Sequence, residues 1–134
     1  MKKLHGLSLL ELMIALVMIG ILSAIALPMY SQHFTRAKRF EAEVMLMKLA
    51  SALEQYYTIN NTYENATLAN LNFPAEIAGG RYQLAINQIE NSSYNLQALP
   101  VDQQAKADPN CATLMLNSLG EKTITGLGKI EECW

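Results

Sequence analysis

The chain has 134 residues, a length that suits one domain. Ten basic and twelve acidic residues give a net charge of 10 − 12 = −2, which argues against nucleic acid as the main partner because phosphate binding wants a basic surface. The two cysteines, Cys111 and Cys133, lie near the C-terminus and have neither CxxC nor Cys/His metal spacing.

The first thirty residues carry the clearest pattern. A basic head, Met1-Lys2-Lys3-Leu4-His5, ends in Gly6, and between Glu11 and Arg36 there is no Asp, Glu, Lys or Arg. As a helix, residues 7–29 would run about 34 Å, against a hydrocarbon core of about 30 Å. Lys2, Lys3 and the initiator amine favour a cytoplasmic N-terminus, although Arg36, Lys38 and Arg39 follow the span closely. Ala24-Ile25-Ala26 is an A-x-A site, so a secretory signal peptide cut after Ala26 is one reading. A plain signal anchor is another, with Glu11 an acid at the membrane surface.

A third reading accounts for every feature. Gly6, Leu7-Ser8-Leu9-Leu10-Glu11-Leu12-Met13 and the run on to Pro28 resemble the prepilin site of type IV pilins and related pseudopilins. The resemblance implies cleavage after Gly6 by a prepilin peptidase on the cytoplasmic side, which also methylates the new N-terminus, Leu7. Leu7 stands where phenylalanine or methionine is usual, and Ser8 where threonine is commoner. Cleavage would remove Lys2 and Lys3 and leave 8 − 12 = −4. The glycine lets the peptide lie close to a protease backbone.

Glu11 is then four residues from the Leu7 amine, on one helical face. It is favourable beside the helix dipole, but in a bundle of such helices an unpaired carboxylate would be costly. The resemblance implies that Glu11 pairs with the Leu7 amine of a neighbouring subunit and sets axial register. Pro28 lacks an amide hydrogen and kinks or locally breaks a helix, and Gly20 weakens the same segment. Residues 21–27 are therefore the least secure stretch. They should hold as helix in lipid, while the family implies partial melting in a filament.

Residues 30 to about 58 read as a continuing helix, without Gly or Pro. Ala42, Leu46, Leu49, Leu53 and Tyr56 or Tyr57 recur at helical spacing as a core stripe, leaving Phe34 and Phe40 for other subunits. Asn60-Asn61-Thr62-Tyr63-Glu64-Asn65 ends the helix, and a loop runs to about Gly80 with a helical turn near 66–71. Residues 81–89 and 94–100 alternate as a hairpin about Glu90-Asn91-Ser92. Residues 101–110 read as polar chain ending in the turn Asp108-Pro109-Asn110. Residues 111–117 and 122–125 give a third and a fourth strand.

Export would place the part beyond the membrane in an oxidising compartment, where Cys111 and Cys133 would form a disulfide. Closing a loop of about 22 residues is worth roughly 3 kcal/mol in the chain-entropy model. The tail would then be pinned to the sheet edge and shield it. The patterns Cys111-Ala112-Thr113-Leu114, Asn117-Ser118-Leu119-Gly120-Glu121-Lys122, Cys133-Trp134 and Tyr94-Asn95-Leu96-Gln97-Ala98 resemble PilE-type minor pilins of Gram-negative type IV pili.

The expected fold class is α+β, the type IV pilin fold. A long N-terminal helix, membrane-spanning in its first half, packs on a four-stranded antiparallel sheet with a C-terminal disulfide loop. The expected parts are a leader (1–6), a transmembrane and polymerisation segment (7–29) and a periplasmic globular domain (30–134). No catalytic constellation or phosphate loop appears, and no cofactor or metal is implied. The resemblance implies a structural subunit, a minor pilin, in the inner membrane before assembly and on the pilus after it. Implied partners are major and minor pilins, the prepilin peptidase and methyltransferase, the inner-membrane assembly platform and the membrane itself. A type II secretion pseudopilin is the alternative within the class, opposed by the disulfide-closed tail. A pilus-presented module binding DNA or a surface is the alternative outside it, and a secreted α+β protein cut at Ala26 is the remaining one.

Overall fold

The computed structural model describes residues 8–134. The chain divides into two compact units, one ending at Phe34 and one running Thr35–Trp134. A single helical assignment, α1 (Leu9–Asn60), contributes residues to both.

In the first unit the helix begins at once behind Ser8, whose carbonyl accepts from the Leu12 amide at 3.1 Å. Glu11 lies in its first turn and Pro28 inside it. The helix runs unbroken through Pro28, and the stretch 21–27 is helical throughout. The Ser23 hydroxyl donates to the Ile19 carbonyl at 2.7 Å, so this hydroxyl in the apolar run is satisfied by its own backbone.

The second unit starts from the stripe that the spacing foretells. Arg39, Ala42, Leu46, Leu49 and Leu53 are the buried residues of α1, three and four apart, so they share one face. Asn60 and Asn61 end the helix. Asn61 takes a positive φ of 54°, and its amide reaches the Tyr57 carbonyl at 2.7 Å, a left-handed cap for which asparagine is well suited.

The buried stripe packs on an antiparallel sheet of five strands in the order β1-β2-β3-β4-β5. These are β1 (Glu76–Ile77), β2 (Tyr82–Ile89), β3 (Tyr94–Pro100), β4 (Leu114–Asn117) and β5 (Lys122–Ile124). Tyr82, Leu84, Tyr94, Leu96, Ala98, Leu114 and Leu116 fill the inner face, as period-two alternation requires.

Sequence periodicity yields four strands, and the fifth is β1. Its two residues are too few to show alternation in a sequence, yet Glu76 pairs with Gln83 and Ile77 with Tyr82. The strand expected over 111–117 is shorter, because Cys111 is held elsewhere. The alternation of β2 also fails at its end. The register shifts between Ile86 and Gln88, so Asn87 is bulged, and both Ile86 and Ile89 pack against the core.

Two short helices, α2 (Asp102–Ala107) and α3 (Ile130–Cys133), stand in place of the expected polar chain and tail. The tail covers the β5 edge, in line with expectation. The Trp134 indole donates to the Thr123 carbonyl at 3.1 Å, and the Lys122 ammonium lies 4.9 Å from the Trp134 ring centroid.

Between β5 and α3 the backbone lies flat on Asn110-Cys111. Thr125 N donates to Thr113 O at 3.1 Å, Gly126 N to Cys111 O at 3.3 Å and Gly128 N to Asn110 O at 2.8 Å. A Cβ at Gly126 would collide with the Asn110 carbonyl. Gly126→Ala should therefore destabilise the second unit by about 1–3 kcal/mol. Gly20→Ala, where a Cβ meets nothing within 4 Å, should not. Chemical denaturation of the detergent-solubilised full chain, followed by near-ultraviolet circular dichroism, checks the contrast.

Candidate functional site

The first unit offers one continuous apolar surface. Every described residue of it up to Phe34 is exposed, and no charged side chain follows Glu11 there. Exposed side chains include Leu12, Ile14, Val17, Ile21 and Ile25. Leaving each in water forgoes about 1.5–3 kcal/mol of burial, so the surface demands lipid or other apolar helices. The helix is long and apolar enough to cross a membrane.

The residues singled out from sequence fall as follows. Gly6 and Leu7 lie outside the described residues. Glu11 and Gly20 sit on this surface, both exposed, and Pro28 is inside the same helix.

Cys111 and Cys133 are joined, with Cα atoms 5.5 Å apart, and both are buried. Arg39, read from the sequence only as one of the basic group Arg36, Lys38 and Arg39 suited to lipid headgroups, neighbouring subunits or DNA, instead turns inward and holds this loop. Arg39 donates from Nη1 to Asp108 Oδ2 at 2.6 Å and from Nη2 to the Glu132 carbonyl at 3.1 Å. Its Nε lies 4.0 Å from Glu43 Oε1. Asp108 enters the disulfide loop and Glu132 leaves it, so one guanidinium ties both limbs to α1.

Burial raises the Glu43 carboxyl above its ordinary value, against the opposing pull of Arg39 and Lys122. Gln104, buried on α2, completes the polar core. Its amide donates to Thr35 O and to the Tyr82 hydroxyl, each at 3.1 Å. Burial of Tyr82 pushes its hydroxyl up to about 12.

A sequence signal for Arg39 existed, since it continues the stripe one turn before Ala42. A cation on an apolar face needs a buried acid, and the acid lay in a stretch read as a turn.

At the other end of α1, Glu54 Oε1 accepts from Tyr63 at 2.9 Å and from Tyr94 at 3.0 Å. The two rings meet edge to face at 4.9 Å. Burial, then the Glu54 hydrogen bond, raises both hydroxyls. These side chains are mutually satisfied, an arrangement suited to fixing structure. Among the described residues, no group of three His, Cys, Asp or Glu is placed to hold a metal ion.

Comparison with known proteins agrees with this architecture. A family model described as "Type IV minor pilin ComP, DNA uptake sequence receptor" matches residues 28–115. A second, a prokaryotic N-terminal methylation motif, matches residues 1–27. The type IV major pilin protein PilE1 of Neisseria gonorrhoeae is 36% identical over 87 residues, covering 64% of this chain and 48% of that protein. The type IV major pilin protein PilA of Myxococcus xanthus is 37% identical over 61 residues, covering 46% and 28%. This chain thus spans about half the length, or less, of these two relatives.

Among solved structures, the non-core minor pilin PilV of Neisseria meningitidis superposes with a TM-score of 0.57 at 20% identity. That match covers 71% of this chain and 90% of that one. A type IV pilin from Shewanella oneidensis superposes with a TM-score of 0.53 at 26% identity, covering 75% and 97%.

Two outcomes test the loop anchor. Arg39→Met should cost about 3–5 kcal/mol, since it leaves Asp108 buried without its cation, and Asp108→Leu in the same chain should recover part of the loss. The Glu43 carboxyl keeps its proton to higher pH folded than unfolded. Its contribution is therefore complete below the ordinary value of 4.5 and lost as pH rises through the raised one. Denaturation midpoints of Glu43→Gln and the parent should diverge across that window, with the parent losing stability as pH rises.

Proposed function

The chain belongs to the type IV minor pilin family, and on that premise we propose that it is a minor structural subunit of a type IV pilus. Residues 1–6 are a leader removed by the prepilin peptidase after Gly6, with Leu7 then methylated. Residues 7–29 hold the chain in the inner membrane and later in the filament, and residues 30–134 form a periplasmic globular domain. The partners are other pilins, major and minor, the peptidase and the assembly platform.

The observation that carries this reading is the exposed, uncharged surface of α1 with a single acid at its start. In lipid that surface is already satisfied, because lipid tails are as apolar as leucine. Moving it into a bundle of like helices changes little, so the acid decides the register: Glu11 is tolerated near the membrane surface and neutralised by a neighbour's Leu7 amine. Gly20 and Pro28 supply the weak points that let the helix loosen there. Enzymatic activity is not part of the reading. A type II secretion pseudopilin is the rival within the class, and the Cys111–Cys133 loop weighs against it.

A second reading is favoured by the description of the matched family as a DNA uptake sequence receptor. The filament would then present this chain to DNA. The second unit carries eight basic and eleven acidic residues, 8 − 11 = −3, so DNA would meet a local basic group. Lys122 and Lys129, flanking the exposed loop between β5 and α3, are the candidates. Replacing either lysine by alanine should lower the salt slope of DNA binding by about one.

Intact mass and N-terminal sequencing of the mature chain should show a methylated Leu7; a start at Leu27 would overturn the reading. Glu11→Val should still be cleaved and should incorporate poorly into sheared filaments, as measured by immunoblot. Normal incorporation would remove the register role from Glu11.

A further inference from the structure

Two cavities of the second unit meet at one residue. Beside β1, an apolar groove of about 490 Å³ is lined by Phe40, Val44, Met45, Pro74 and Ile77, and by Gly79. Phe40 is 62% exposed there. A polar cavity of about 290 Å³ has Arg81 and Asp102 in its walls, and Gly79 lines it as well.

Gly79 and Gly80 both take positive φ, 69° and 76°, a conformation that side chains disfavour. The junction of the two cavities therefore carries no side chain of its own. Lys38 stands nearest to it, with Nζ 3.8 Å from where a Cβ on Gly79 would lie. The Val101 amide donates to the Arg81 carbonyl at 3.0 Å, which holds the start of α2, and with it Asp102, beside Arg81.

Charge around the two cavities is balanced. Lys38, Lys48 and Arg81 are set against Glu41, Glu76 and Asp102, and Lys38 holds Glu41 at 2.8 Å. A surface without net charge does not draw in a polyanion. It suits a ligand with an apolar tail for the groove and, at its other end, one negative and one positive group close together.

We infer that the paired cavities bind one zwitterionic phospholipid of the membrane. An acyl chain lies in the groove. The phosphate lies past Gly79 against the Arg81 guanidinium, whose fork of donors matches phosphate oxygens. The headgroup ammonium meets the Asp102 carboxylate. Mostly apolar walls with a few placed polar groups are what a small-molecule site of this volume requires. The source of the lipid rests on the reading that residues 7–29 hold the chain in a bilayer. Such anchoring raises the effective concentration of lipid, so a weak intrinsic affinity suffices.

The test uses the full-length chain in mild detergent, with phosphatidylethanolamine or phosphatidylglycerol carrying a diazirine at the end of one acyl chain. Irradiation with either should label the apolar surface ahead of Phe34. The expected result is further labelling within residues 40–48 or 74–79, about fivefold stronger with the ethanolamine lipid. Asp102→Asn should remove that preference and leave groove labelling by the glycerol lipid undiminished, a change of ratio that loss of folding does not produce. Arg81→Gln should weaken groove labelling by both lipids and leave labelling ahead of Phe34 unchanged.

Label confined to residues ahead of Phe34, as when another polypeptide covers the groove, would overturn the inference. So would equal groove labelling by the two lipids, or a preference that survives Asp102→Asn. If sheared filaments lack the chain while the groove is labelled selectively, the pilus reading falls and the lipid site stands. If filaments contain the chain and the groove stays unlabelled, the lipid site falls and the pilus reading stands.

Discussion

The second unit depends on one buried cation. Arg39 sits in the apolar stripe of α1, and its guanidinium is taken from water only because Asp108, the Glu132 carbonyl and Glu43 receive it. An unpaired charge at that depth would be prohibitively costly. All its partners except Glu43 come from the C-terminal third of the chain, so the helix is satisfied only when that third is docked. Apolar contacts tolerate sliding by a turn, whereas a fork of hydrogen bonds accepts one register.

Several features of the loop follow from this anchor. The disulfide lies between the two limbs that Arg39 holds, so covalent and ionic ties act on the same segment. Gln104 extends the network to Tyr82 on β2 and to the helix backbone at Thr35, which joins helix, sheet and loop through polar atoms as well as through packing. A unit of this size has a small core, and the cross-links supplement it. The first unit is the opposite case. Its described residues are all exposed and form no core, and their order comes from helix propensity and from whatever apolar medium surrounds them.

Much of this was legible in the sequence, and the reasons are specific. Ala42, Leu46, Leu49 and Leu53 announce a buried face because four residues at helical spacing are rarely accidental. Tyr82, Leu84, Tyr94, Leu96 and Ala98 announce a hairpin because the period of two runs on both sides of one turn. The pairing of Cys111 with Cys133 followed from there being no other cysteine and an exported chain. What was not legible depends on distant partners. β1 is too short for any period, and exists because the β2 backbone offers it bonds. The Asn87 bulge is set by the need to place both Ile86 and Ile89 inward. Asp108 reads as a turn residue beside Pro109, and only Arg39, sixty-nine positions earlier, makes it an anchor. The apolar surface of residues 9–34 was plain, but its processing residues, Gly6 and Leu7, lie outside the described structure.

The edges of the sheet have a consequence for how such a chain can be stored at high density. A flat, unpaired strand edge is a template for cross-β growth. Here one edge is a two-residue strand, and the other is capped by the Trp134 indole on the Thr123 carbonyl. Backbone-templated stacking therefore has little to grip at either side. Crowded copies of this unit thus offer each other little strand edge on which cross-β growth could begin.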